Sequence, residues 1–179
     1  MPGHVLTAAV VMLWAAGSLW AAAAPAPAPP PAAPAPSTDA RFFGELAYKD
    51  VATAADTARA LTILVSEGAE NGADFAAAKA YLRARGILPD GWLDKAAADA
   101  PTDKGRLASL VCRALGIKGG LAMRLLGPLP RLALRECSYL ELMAIGCDYT
   151  YVTGGELVGV IDRADRLRAR DPGAAEAKP

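Results

Sequence analysis

Three helix starts set fifty residues apart are the feature that most narrows what this chain can fold into. The last opens "VTGGELVGVIDRADRL" (152–167), with Thr153 at an N-cap and Glu156 three residues on, the spacing of a capping box. Behind it Leu157, Val160, Ile161 and Ala164 fall on one helical face. Fifty positions earlier Asp103 stands under Thr153 in "DKGRLASLVCRALG"; fifty before that, Thr53 opens "TAADTARALTILVS", with Asp56 three on. The apolar sets align without gaps, as Leu107, Leu110, Val111 and Ala114, then Thr57, Ala60, Leu61 and Leu64. Arg113 and Arg163 coincide too. A period of this size held through three copies is the signature of units that bury one shared core.

A second helix precedes each of the later two copies. "DFAAAKAYLRARGIL" starts at Asp74 as N-cap and stops at Gly86, a C′ glycine. "RLALRECSYLELMAIG" plays the same part from Arg131 to Gly146, and both carry a Tyr-Leu pair, Tyr81-Leu82 and Tyr139-Leu140. After the first pair the connection is lengthened by "PDGWLDKAAADAP", an insertion that belongs in a surface loop. The earliest copy has no clear partner helix, only "RFFGELAYKDV". The link "IKGGLAMRLLGPLP" holds one short helix between Gly120 and Gly127. The expectation is all-α: helical pseudo-repeats in one small bundle domain, with five main helices of about 12 to 16 residues and no hairpin signals.

This pattern resembles the S-layer homology domain. That family builds repeats of about 50 residues, each a helix, a loop and a second helix that opens on a Thr-Arg-Ala-Glu-type motif. The repeat often starts on an aromatic-x-Asp-Val signature, to which Tyr48-Lys49-Asp50-Val51 is similar. Thr53-Ala54-Ala55-Asp56, Asp103-Lys104-Gly105-Arg106 and Thr153-Gly154-Gly155-Glu156 stand at the motif, and Gly86-Ile87-Leu88 is similar to the family's Gly-Ile turn. The resemblance covers roughly residues 46 to 168. It implies about three helix-loop-helix units with their capped helices around a common axis, and an anionic cell-wall polysaccharide held between units by the motif's basic residue. Only Lys104 keeps that base; Ala54 and Gly154 replace it elsewhere, and Arg106 stands at the acidic position. The resemblance therefore implies the fold more firmly than the ligand, and it points to the middle unit, with Lys104 and Arg106, as the place for one.

The N-terminus has a different character. From Val5 to Ala24 there is no charged side chain, and the run ends in small residues suited to a signal peptidase. Residues 1–23 read as a signal peptide, cut after Ala23 rather than directly before Pro25, although no Lys or Arg precedes the run. The alternative is an uncleaved anchor, since about 20 apolar residues can span a bilayer. No Cys lies near the cut, which excludes a lipoprotein. Residues 24–38 form an Ala/Pro-rich linker around "PAPAPPPAAPAP", an extended and semi-rigid spacer. The helical domain is then 39–170, followed by a flexible tail, 171–179. The expected location is a bacterial periplasm or cell envelope, with membrane contact only through the N-terminal segment where it is retained.

Chemistry is narrowed mostly by what is missing. Nineteen basic and nineteen acidic residues give zero formal charge, hence no electrostatic reason to expect nucleic acid as a partner. The single histidine is His4, inside the export segment. Ser-His-Asp and Cys-His catalysis, His-ligated zinc and His-ligated haem are thereby excluded from the domain. No phosphate-cradle or calcium-loop pattern occurs, so no cofactor and no metal is expected. Paired carboxylates for glycoside hydrolysis are the remaining catalytic route. Their candidates, Glu45, Asp50, Glu136, Glu141 and Glu156, are scattered over helices and read better as solvated faces.

Three cysteines, Cys112, Cys137 and Cys147, leave an odd thiol in an exported chain. Cys112 is equivalent to Thr62 and Asp162 and is expected at a partly exposed flank. Cys137 and Cys147 are about 15 Å apart along a continuous helix, too far to bridge unless the chain folds back after Gly146. Small buried hydrophobes are one reading; a disulfide from Cys112 to one of the others is another. A catalytic thiol fits less well, without a CxxC motif or a histidine. Among the aromatics, Trp92 in its long loop and Tyr149 and Tyr151 before the last capped helix can either stack on sugar rings or plug the ends of the bundle.

The expectation is a non-catalytic envelope attachment domain. Its partner would be cell-wall polysaccharide or an envelope protein, with Lys104, Arg106, Trp92, Tyr149 and Tyr151 as binding residues. Thr53, Asp56, Asp103, Thr153 and Glu156 would cap the helices. The rivals are a small periplasmic carboxylate enzyme and a ligand-free structural repeat domain.

Overall fold

Thr53, Asp103 and Thr153 each stand directly before a helix in the computed structural model, which describes residues 38–66, 74–88 and 95–170. The helices are α1 (Thr38–Ala47), α2 (Ala54–Ser66), α3 (Phe75–Ala84), α4 (Lys104–Ala114), α5 (Leu121–Leu126), α6 (Pro130–Tyr139) and α7 (Gly154–Arg170). The fold is all-α, with isolated bridges Thr53–Pro101 and Asp103–Tyr151 and no strand among the described residues. No helix among these residues is long and apolar enough to cross a membrane. The signal-peptide or anchor segment, the linker, Trp92 and the tail lie outside the described residues.

The apolar stripes read from the sequence form the core. Thr57, Ala60, Leu61 and Leu64 of α2, Leu107, Leu110 and Val111 of α4, and Leu157, Val160, Ile161 and Ala164 of α7 are all buried; Ala114 is half-buried. Thr57 is tolerated there because its hydroxyl donates to the Thr53 carbonyl and meets the Thr102 hydroxyl, each at 3.0 Å. Each of these three helices carries a shorter one: α3 packs on α2, α6 on α4, and α1 on α7. The shorter helices bury residues four apart on one face: Phe42 and Leu46, Ala78 and Leu82, Ala133 and Cys137.

Between the helices the chain closes a ring of backbone hydrogen bonds. Ala52 donates to the Val152 carbonyl at 2.8 Å, Val152 to that of Thr102 at 2.9 Å, and Thr102 to that of Ala52 at 3.0 Å. All three residues are fully buried. Just beyond the ring, Ala54, Lys104 and Gly154 donate their N–H groups to the carbonyls of Ala100, Thr150 and Lys49. The helix starts thus hand their otherwise unpaired donors to a neighbouring loop instead of to water.

Several expectations need correction. The segment "RFFGELA", read as lacking a helix, is α1; two buried side chains four apart suffice to hold ten residues against α7. The helix expected from Arg131 to Gly146 ends at Tyr139. Glu141 then takes φ 59° and Leu142 donates to the Cys137 carbonyl, a turn that sends Leu142 and Met143 into the core. Gly86, at φ 69°, makes the corresponding turn after α3, where Ile87 donates to Leu82. Leu82 therefore matches Cys137, and the two Tyr-Leu pairs are not in equivalent places. Cys112 is buried rather than partly exposed. Helix lengths run from 6 to 17 residues, a wider span than expected.

Candidate functional site

All three long helices are capped by the side chain that precedes them, and the caps differ in detail. Thr53 and Asp56 form a reciprocal box: Asp56 N donates to Thr53 Oγ1 at 3.3 Å and Thr53 N to Asp56 Oδ2 at 3.1 Å. The Thr53 hydroxyl and Lys49 Nζ also reach that carboxylate, each at 2.8 Å. Burial pushes the Asp56 carboxyl up, but Lys49 and Thr53 outweigh it and hold the group below the usual carboxylate range. At the second start, Arg106 N donates to Asp103 Oδ1 at 2.8 Å, and the Arg106 guanidinium lies 3.0 Å from the other oxygen. Here burial wins. The Asp103 carboxyl is raised, with Asp148 adding repulsion against the lowering effect of Arg106. At the third, Glu156 N donates to the Thr153 hydroxyl at 3.1 Å.

The Glu156 carboxylate, in the capping position by sequence, instead pairs with Lys104 at 2.8 Å. This contact ties the start of α4 to the start of α7, and the Lys104 side chain is only 14% exposed. The base singled out for a ligand is thus committed inside the protein. Its two counterparts in the motif are filled differently. Ala54 is fully buried, and Gly154 packs against the Leu46 carbonyl at the end of α1. Arg106 is largely exposed and engaged with Asp103. Tyr149 and Tyr151 are both open to solvent.

A concavity among the described residues lies beside Lys104 rather than on it. A groove of about 660 Å³ runs along α6 and the turn after it, lined by Arg131, Arg135, Ser138, Tyr139, Ile145 and Cys147 among others. Gly146 lines it, and a β-carbon built on Gly146 would lie 3.6 Å from Lys104 Nζ. Arg131 and Arg135 are four apart, so their guanidinium groups share one face of α6. Tyr139 and Ile145 are exposed at 83% and 90%, leaving an aromatic ring and an aliphatic chain open at the edge. Two cations beside an exposed ring suit an anionic sugar, which needs a counter-charge and an apolar platform. Next to it, α5 exposes Leu121, Leu125 and Leu126. No acidic residue occurs from Leu115 to Arg135, while Lys118, Arg124, Arg131 and Arg135 all fall there. The neutral total hides this basic stretch, which is why sequence reasoning passed over it.

Two of the carboxylates considered for catalysis are engaged elsewhere, and Asp50 is exposed. Glu136 accepts from Gly120 N at 2.7 Å and Glu156 holds Lys104. Glu141 sits exposed at the left-handed turn, and Glu45 lines a smaller groove with Lys49, Asp56 and Arg59. Among the described residues no cluster of three or more His, Cys, Asp or Glu side chains could hold a metal ion. The two arginines that stand fifty residues apart also diverge. Arg163 Nε donates to the Leu142 carbonyl at 2.8 Å, whereas Arg113 Nε is buried with no hydrogen-bond partner. No family model, curated protein or solved structure matches this chain.

Proposed function

We propose that the chain is an exported, non-catalytic attachment domain of the cell envelope. It is built from three pseudo-equivalent units similar to S-layer homology repeats and binds an anionic envelope glycan in the α6 groove. The closed ring through Ala52, Thr102 and Val152 carries the architectural half of this reading. Its members are spaced fifty residues apart, and each is followed directly by a capped helix start. The ligand half rests on Arg131, Arg135 and the exposed Tyr139 in one groove. The ligand's place differs from the one the resemblance implies, because Lys104 is spent on Glu156 and Gly154 admits no side chain. Export rests on the uncharged run from Val5 to Ala24 and the Ala/Pro spacer.

Sedimentation of the folded full chain with purified cell-wall sacculi tests the binding. Retention should fall on raising salt and in Arg131→Ala/Arg135→Ala, with helix content unchanged; a folded chain that never sediments overturns the proposal. N-terminal sequencing of protein recovered from the envelope fraction tests export separately.

A further inference from the structure

We propose that Cys112 and Cys137 are a disulfide site, joining α4 to α6 across their packed seam. Both side chains are buried, at 1% and 0% exposure, and their sulfur atoms lie 3.5 Å apart. Each sulfur also faces a carbonyl of the opposite helix: Cys112 Sγ lies 3.8 Å from the Ala133 oxygen and Cys137 Sγ 3.7 Å from that of Ala108. Those carbonyls belong to the residues four before the partner cysteine, so the thiols confront each other one turn along each helix. A disulfide of about 2.05 Å requires the sulfurs to close by about 1.5 Å. Packing alone does not call for sulfur here. Leu82 fills the matching place on α3 and Thr62 that on α2, both fully buried without sulfur. The exposed Cys147, against the Asp148 carboxylate, is the odd thiol left over.

The chemistry is thiol–disulfide exchange with a small-molecule or protein disulfide as oxidant. One cysteine thiolate attacks an oxidant sulfur, forming a mixed disulfide and expelling one oxidant thiol. The second thiolate then attacks the sulfur of the first cysteine, expelling the other oxidant thiol. Two cysteines lose two protons and two electrons, and the oxidant leaves as two thiols. The hydrogen bond to Cys137, and then burial, push the Cys112 thiol well above its ordinary range, so the closed, reduced seam supplies no thiolate. With both side chains buried in the packed seam, the oxidant reaches them while the chain is refolding. The pair itself stands on geometry; its use in the cell rests on the export reading above, since disulfides persist in oxidising compartments.

The full chain is unfolded, refolded in a mixture of oxidised and reduced glutathione, treated with iodoacetamide and digested. The expected product is one cross-linked peptide pair carrying Cys112 and Cys137, with Cys147 alkylated. The oxidised chain should also melt at a higher temperature than the same chain after reduction. Cys147→Ser should leave the cross-link in place. A refolded chain of undiminished helix content that still alkylates at both Cys112 and Cys137 on unfolding overturns the proposal, as does a cross-link through Cys147. Cross-linking in glutathione supports the site whatever the compartment. Free thiols in protein taken from cells would then count against export alone.

Discussion

Gly154 packs its Cα against the Leu46 carbonyl so closely that a β-carbon would overlap the oxygen. The end of α1 thus occupies the space into which a side chain at the first position of α7 would project. Gly154→Ala should lower stability by about 2–3 kcal/mol, because backbone on both sides has to move. Gly159, in the same helix, has only the tip of Arg163 near it, at 3.4 Å. Gly159→Ala should raise stability by about 0.5–1 kcal/mol through reduced chain freedom. Urea midpoints for the two variants should move in opposite directions.

The three caps respond differently to substitution. Thr153→Ala removes the acceptor for Glu156 N and should cost about 1 kcal/mol. Asp103→Asn keeps an oxygen for Arg106 N while removing a half-buried charge near Asp148. It should therefore match or exceed the parent at neutral pH, whereas Asp103→Ala should fall below it. Thermal melts of the three variants in one buffer make the comparison.

Asp56 and Asp103 also give opposite pH dependences. Asp56 titrates lower in the folded chain than in the unfolded one, so its contribution is complete above the unfolded value, about 3.9, and is lost as pH falls through the folded value. Asp103 titrates higher when folded, so its ionised form detracts from stability; that cost begins to fall as pH drops through its folded value and is gone below the unfolded one. The stability lost in Asp56→Asn should shrink on acidification; any gain in Asp103→Asn should shrink as well. Urea titrations from about pH 7 down to about pH 3 follow both.

Lys104 and Glu156 form a mostly enclosed ion pair, and removing either leaves the other charge without its partner. Lys104→Met or Glu156→Gln alone should each cost about 1–2 kcal/mol. The double variant should cost less than the sum, a coupling that a double-mutant cycle reads directly.

Arg113 and Arg163, fifty residues apart in the sequence, have different surroundings. Arg163→Met strips a hydrogen bond from the Leu142 carbonyl and should destabilise by about 1 kcal/mol. Arg113→Met removes a buried donor that has no acceptor and should be neutral or stabilising. Chemical denaturation distinguishes the pair.

The fold was legible where side chains repeat at the helical period. Leu107, Leu157 and their neighbours announce the core because burial of one helix face leaves a stripe in the sequence. α1 was hidden because only Phe42 and Leu46 mark its buried face, fewer than a stripe needs. The end of α6 was hidden because Leu142 and Met143 are as apolar as a continuing helix, while the break lies in the backbone at Glu141. At the candidate site, Lys104 was found by its motif position but not its partner, since Glu156 lies 52 residues away. The Arg131–Arg135 face is silent in the total charge, because acidic residues elsewhere in the chain cancel it.

The ring through Ala52, Thr102 and Val152 also limits how a chain of this kind can vary. Every N–H in it is given and every carbonyl taken, so no end is left on which another segment could be added. A stacked solenoid lengthens by inserting a unit between neighbours. Here an insertion would break one of three buried bonds and separate α1 from α7, which joins the beginning of the domain to its end. Changes of length are accommodated only outside these three bonds, while the number of members at the centre stays at three.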